Sequence, residues 1–343
     1  MLLPRSQEGE RMSEIAHGLP QIPISGLSRA IVAVSCVLAV LSTVVVALRV
    51  YVRLKLSESR KVWGLDDIFA VLGWVTFLPA IAIIIIAACW GLGAHDSQIP
   101  EGQLVYYQIK VKEYMFWSEV VYFPSTVLTK LALSVMIVRL STTKVYAYII
   151  WGNMGLLAIN LAVCLGIWLA ACTPVAALWN ENLGYCRNPD GWVIASYTGT
   201  VVLAIVDWTC AITPFFLIRG LQMPKRRKVS LQIILGLGII GSVAGLVRMG
   251  YYHSYNTKAY PNESLYNWGQ SVIWTAVEGG LGIIACSLPT LRKLVSTYYS
   301  GSSREKTNKS TGNTGVDGST ELRTLTDRLH VRNSGGKWNQ LPS

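Results

Sequence analysis

Seven long apolar runs dominate this sequence, at approximately Leu27–Val50, Ile68–Trp90, Tyr114–Val138, Val145–Ala171, Val193–Ile218, Val229–Tyr252 and Trp268–Leu288. A bilayer core about 30 Å thick takes roughly 20 apolar residues in a helix, and each run reaches that length. The second and fourth carry no charged residue at all, which excludes a soluble all-α bundle. The expected fold class is an all-α membrane protein, a seven-transmembrane helix bundle. Composition agrees. Of 343 residues, 52% are hydrophobic and 14% charged, against about 25% charged in soluble domains, and mean hydropathy is +0.40.

The charge between the runs sets the expected orientation. One set of connections carries Arg49, Arg53, Lys55, Arg60 and Lys61, then Arg139 and Lys144, then Arg219, Lys225, Arg226, Arg227 and Lys228, then Arg292 and Lys293. The other carries Arg5, Arg11 and Arg29, then Lys110 and Lys112, then Arg187 and Lys258. That is 14 basic residues against 7, and the richer set belongs in the cytoplasm. The N-terminus is then outside and the C-terminus inside. The net charge of +11 serves orientation, and no residue types at nucleic-acid-binding spacing accompany it. Nucleic acid is excluded as a partner.

The first 25 residues do not read as a signal peptide, because Pro4, Glu8, Glu10, Arg11, Glu14, Pro20 and Pro23 interrupt any apolar stretch. The chain divides into a short outer tail (1–26), the membrane domain (27–294) and a cytoplasmic tail (295–343). Gly301–Ser319 is rich in Ser, Thr, Gly and Asn and is expected to be disordered. Asn262-Glu263-Ser264 is an N-glycosylation sequon in the last outer loop, whereas Asn308-Lys309-Ser310 lies in the inner tail. Cys172 and Cys186 face an oxidising compartment and are expected to form a disulfide. Cys89 is the competing partner, and two reduced thiols packed as small apolar groups are the alternative. Trp90, Trp151, Trp192 and Trp268 fall at span ends, where headgroup-level anchoring is expected. Asp66 and Asp67 precede the second span and are expected to cap that helix.

Ionisable groups inside a bilayer are costly and point to function or to specific pairing. Five are present: Glu119 and Lys130 in the third span, Asp207 in the fifth, Arg248 in the sixth and Glu278 in the seventh. At 1.5 Å per residue, Lys130, Asp207 and Glu278 lie within roughly 6 Å of one level, and Glu119 and Arg248 roughly 10 Å further outward. The expected arrangement is a central Lys130–Asp207/Glu278 cluster and an outer Glu119–Arg248 pair. These groups serve either as interhelical staples or as a ligand or ion site.

Gly236-Leu-Gly-Ile-Ile-Gly241 spells the dinucleotide-binding pattern but lacks the preceding strand. Gly241 and Gly245 are expected to allow close helix packing instead. His95 and His253 lack a third ligand for a metal and read as loop residues. No histidine, HExxH helix or nucleophile–base pair lies within the spans, so neither an enzyme, a resident metal nor a cofactor is expected. Retinal needs a Schiff-base lysine in the last span, which offers Glu278 and no lysine.

The motifs Arg49-Val-Tyr-Val-Arg53, Trp63-Gly-Leu-Asp-Asp67, Gly91-Leu-Gly-Ala-His95 and Lys130-Leu-Ala-Leu-Ser134 with Arg139 occur in order. They are followed by Cys172-Thr-Pro174 with Trp179 and Cys186, then Asp207, Arg248, Trp274 with Glu278, and Ser287-Leu-Pro-Thr-Leu291. In this order and spacing the chain, from about Ser28 to Leu294, resembles a fungal family of seven-helix, rhodopsin-like integral membrane proteins. The resemblance implies fungal origin and receptor-like topology. The family includes a plant-pathogen surface receptor responding to host cues and a membrane protein of a satratoxin (mycotoxin) gene cluster. The expected function is a receptor or sensor with an unidentified small-molecule ligand and a cytoplasmic signalling partner, in the plasma membrane or an endomembrane. The alternative is a transporter or accessory membrane component of a secondary-metabolite cluster. No Asp-Arg-Tyr ends the third span, where Arg139 stands alone.

Overall fold

A computed structural model describes residues 5–55, 63–140, 144–187, 191–219, 225–255 and 262–310. Its helices, in order, are α1 (Arg5–Gly18), α2 (Gly26–Lys55), α3 (Leu65–Cys89), α4 (Leu104–Leu140), α5 (Lys144–Ala170), α6 (Gly191–Arg219), α7 (Lys225–Met249) and α8 (Ser264–Ser310). Six of these, α2 to α6 and α8, are long and apolar enough to cross a membrane. In α7 the described apolar portion, Gly236–Met249, is shorter. The chain divides into two units, Met1–Leu294 and Val295–Ser343.

Burial separates the helices into inner and outer ones. More than half of the apolar window of α4 and α8 is covered by protein, 56% and 61%, against 28% for α2 and α5. The outer helices bury one narrow stripe and leave the rest bare. On α5 the buried stripe is Ile150, Asn153, Leu157, Asn160, Cys164 and Trp168, a helical repeat of three and four. Its exposed face presents Ile149, Leu156, Ile159 and Val163. Apolar residues on the outside suit a hydrocarbon solvent.

Local sequence sets where the helices stop. Helix α3 ends at a turn in which Leu92 N–H donates to Ala87 O at 3.1 Å and Gly91 N–H to Ala88 O at 3.3 Å. Gly91 adopts φ +95° there, a conformation glycine reaches without steric cost. Helix α8 continues to Ser310, ten residues into the segment expected to be disordered. Extending a formed helix is easy once the first turn exists, and the apolar part of α8 supplies that start. The rest of the tail, residues 311–343, lies outside the described residues.

Residues 1–26, expected as a plain tail, include α1, which packs on α4. Lys110 Nζ donates to His17 O at 3.2 Å and Tyr107 OH to Pro20 O at 2.8 Å. Asn180 Nδ2 donates to Gly9 O at 2.8 Å. The segment after α5 forms two short antiparallel strands, β1 (Cys172–Thr173) and β2 (Tyr185–Cys186), with Cys172 paired to Cys186. These two cysteines are disulfide-bonded. Trp268 and Trp192, expected at span ends, are buried within the protein. Trp268 Nε1 donates to Ser254 O at 2.9 Å, a partner that only the folded loop supplies.

The disulfide closes a separation of 14 residues, which in the chain-entropy account is worth about 3 kcal/mol. Cys186→Ser should therefore lower the thermal midpoint in detergent, followed by tryptophan fluorescence. An unchanged midpoint would show that the β1–β2 pairing holds the loop without the bond.

Candidate functional site

Two buried ionic centres lie along the inner helices. The first occupies the end of the bundle where α2 finishes and α3 begins. Arg49 and Arg53 stand four residues apart, on one face of α2. Asp66 and Asp67 sit in the first turn of α3, where the helix dipole favours negative charge. Arg49 Nε donates to Asp67 Oδ1 at 2.8 Å and Arg49 Nη2 to Asp66 Oδ2 at 2.9 Å. Arg53 Nη2 reaches Asp66 Oδ2 at 3.0 Å, and its Nε lies 3.0 Å from Asp67 Oδ2. From α4, Arg139 Nη1 lies 2.6 Å from Asp66 Oδ1. Arg49 Nη1 also donates to the Cys286 carbonyl of α8 at 2.5 Å. The centre thus joins α2, α3, α4 and α8.

Asp67 does cap weakly, accepting from Gly64 N–H at 3.3 Å. The expected capping role is thus the smaller part of what this pair does. The larger part is charge pairing with three arginines. The signal for it was present as an i, i+4 arginine pair facing adjacent aspartates across one short connection. Gly64 leaves room for the pair: a Cβ there would lie 2.0 Å from Arg139 Nη2 and would displace that guanidinium.

The second centre lies deeper in the bundle. Lys130 Nζ of α4 donates to Asp207 Oδ2 of α6 at 2.5 Å, and Ser242 Oγ of α7 donates to the same oxygen at 2.9 Å. Arg248 of α7 lies with its Nη1 4.0 Å from Glu119 Oε1 and its Nη2 3.5 Å from Glu278 Oε2. Its guanidinium also donates to Thr275 Oγ1 at 3.1 Å and Thr200 Oγ1 at 3.3 Å. Tyr122 and Tyr252 lie with ring centroids 5.7 and 5.6 Å from it. Thr200 Oγ1 and Tyr252 OH are 2.9 Å apart.

All five intramembrane ionisable residues are therefore in one belt. The structure changes the expected pairing in one respect: the ion partner of Glu278 is Arg248 rather than Lys130. Depth along each helix can be read from sequence, but the rotation of α7 cannot. Gly241 and Gly245 turn toward α8, and a Cβ at Gly245 would stand 3.3 Å from Glu278 Oε2. That approach brings Arg248, three residues on, around the same face. A cavity of about 40 Å³ adjoins the belt, lined by Thr126, Thr129, Lys130, Asp207, Gly241 and Glu278 among others. By the volume one water needs, it has room for about three.

The loop histidines have local partners. His95 Nδ1 lies 2.9 Å from Glu263 Oε2, with its ring stacked on Tyr266 at 4.2 Å. His253 Nδ1 lies 2.7 Å from Gly250 O. In the sequon, Asn262 is exposed, whereas Ser264 is buried and its Oγ accepts from Gln108 Nε2 at 2.8 Å.

A helical bundle with lipid-facing apolar surfaces and a buried ionic belt defines an integral membrane protein. The family model of the fungal rhodopsin domain matches residues 48–297, and the chain belongs to that family. A SAT4 family membrane protein of Emericella nidulans is 24% identical over 287 residues, which cover 78% of this chain and 69% of that protein. A protein of Talaromyces wortmannii named wortmanamides biosynthesis cluster protein C is 26% identical over 119 residues, covering 34% of this chain and 30% of that one. No solved structure matches the chain significantly.

Arg49, 1% exposed, bonds both aspartates and the Cys286 carbonyl, and breaking such buried charged hydrogen bonds typically costs about 3–5 kcal/mol. Arg49→Gln should therefore unfold at markedly lower denaturant than wild type. Gly64→Ala should lose part of that, because its Cβ displaces the Arg139 guanidinium from Asp66 Oδ1. Equal stability of Arg49→Gln and wild type would mean that Arg53 and Arg139 suffice.

Proposed function

We propose that this protein is a receptor- or sensor-like membrane protein in which the belt and the end cluster are mechanically coupled. The observation that carries this reading is that α4 and α8 serve both centres. On α4, Lys130 belongs to the belt and Arg139 to the end cluster. On α8, Glu278 belongs to the belt and the Cys286 carbonyl to the end cluster. The intervening distances are about 12–14 Å at 1.5 Å per residue. A shift of either helix at the belt is felt at the cluster. Arg139 is 49% exposed, whereas its partner Asp66 is 1% exposed, so this pair is the one a cytoplasmic partner can exchange.

The proposed topology is seven crossings with α7 as the sixth, the N-terminus outside, the end cluster at the cytoplasmic face and the protein in the plasma membrane. Basic residues crowd the end-cluster side, which supports this orientation. A second reading, a membrane component of a secondary-metabolite cluster, is favoured by the likeness to the wortmanamides cluster protein.

Lys130→Met tests the coupling. Hydrogen exchange should quicken at residues 63–67 as well as around Asp207. Quickening confined to the belt would overturn it. In proteoliposomes with an imposed pH gradient, movement of organic solutes that requires Asp207 or Glu278 would favour the transporter reading instead. Orientation has its own test. An endoglycosidase-sensitive mobility shift should vanish in Asn262→Gln. A shift that survives there and vanishes in Asn308→Gln would invert the topology.

A further inference from the structure

The belt is not balanced in charge. It holds three carboxylates, Glu119, Asp207 and Glu278, against two cations, Lys130 and Arg248. Lys130 is committed to Asp207. Arg248 is left to serve two carboxylates, at 4.0 and 3.5 Å, both longer than a charged hydrogen bond. An uncompensated charge in a low-dielectric interior is costly. The end cluster has the opposite excess, three arginines to two aspartates. It lies about 12 Å from Glu278 along α8. At that range its attraction is about a quarter of what a cation in contact at 3 Å would supply.

The geometry around Glu278 shows where the missing charge belongs. Glu278 is 5% exposed, and its Oε2 receives no hydrogen bond from any described residue. It lines the cavity together with Asp207, Thr126 and Thr129. Thr126 Oγ1 donates to Tyr122 O and Thr129 Oγ1 to Ser125 O, so each hydroxyl proton is already used and the oxygen retains acceptor capacity. Carboxylate and hydroxyl oxygens suit a hard cation. The volume of about 40 Å³ admits an ion with a water or two and excludes an organic amine.

We propose that this cavity takes up one small monovalent cation, an alkali ion or a proton, beside Glu278. The bound charge brings the belt to neutrality and holds α8 against α4, α6 and α7. The charged and titratable groups facing Glu278 are Arg248 of α7, Glu119, Tyr122 and Lys130 of α4, Asp207 of α6, and Tyr252 after α7. The inference goes beyond the sensor reading and does not need it, because a cation bound for stability alone satisfies the same charge count.

The test is the thermal midpoint of the full-length protein in detergent at constant ionic strength. In one arm Na⁺ replaces choline at pH 8. In the other, choline is kept and pH is lowered from 8 to 5. A ligand that binds only the folded state should raise the midpoint by roughly 5 °C at a hundredfold excess over its Kd. A saturable rise with Na⁺ identifies an alkali ion, and a rise with acid alone identifies a proton. Either response should be absent in Glu278→Gln. Glu119→Gln removes the excess charge without touching the cavity. It should weaken the response at least about tenfold in apparent affinity, which covers the case in which Glu278→Gln does not fold. The proposal is overturned if the wild-type midpoint is indifferent to both arms, or if a folded variant keeps the wild-type response.

Discussion

Charge buried where neither water nor a polar solvent reaches it must be paired within the protein, and this requirement organises the bundle. In hydrocarbon the backbone is satisfied within each helix, and apolar side chains gain little by leaving lipid for protein. Helix association therefore needs specific contacts. Here those contacts are concentrated at two levels. The end cluster ties α2, α3, α4 and α8 through Arg49, Arg53, Asp66, Asp67 and Arg139. The belt ties α4, α6, α7 and α8 through Lys130, Asp207, Ser242, Arg248 and Glu278. Only α4 and α8 belong to both sets, and they are also the two helices most enclosed by protein. Among the described contacts helix α5 joins neither centre, and it carries its two asparagines, Asn153 and Asn160, on its buried stripe.

How much of this could be read from the sequence depended on the kind of information each feature needs. Apolar length is a one-dimensional property, and all seven expected runs fall within helices α2 to α8, give or take a few residues at the ends. Depth is nearly one-dimensional, since rise per residue is constant. It was enough to place Lys130 level with Asp207, and the two are in contact. Rotation is not one-dimensional. Whether Arg248 meets Glu119 alone or Glu278 as well depends on how α7 turns toward α8, and that follows from the fit of Gly241 and Gly245 against α8.

The end cluster was hidden for a different reason. A pair of acidic residues at a helix start fits a local rule so well that the non-local use is easy to pass over. Asp66 and Asp67 satisfy the dipole of α3 and at the same time neutralise arginines from two other helices. The two roles are compatible, because the first turn of α3 holds both carboxylates where the arginines reach them. Likewise Trp268 has the residue type and position of an interface anchor. The turn at Tyr252–Tyr255 supplies its indole N–H with a buried carbonyl, and that loop closure was not visible in the spacing of aromatics.

The same close packing limits what the bundle can enclose. Gly241 and Gly245 bring α7 near α8, and Gly279 and Gly282 bring α8 near α4. A Cβ at Gly279 would fall 2.8 Å from both Phe77 and Tyr122. Helices that approach this closely leave about 40 Å³ beside the belt rather than the space of a metabolite pocket. Parting α7 from α8 would separate Arg248 from Glu278 and leave buried charge uncompensated. The ionic belt thus opposes separation of these helices. Helix α4, which carries Lys130 of the belt, is anchored again about two and a half turns on by Arg139, half exposed beside a buried aspartate.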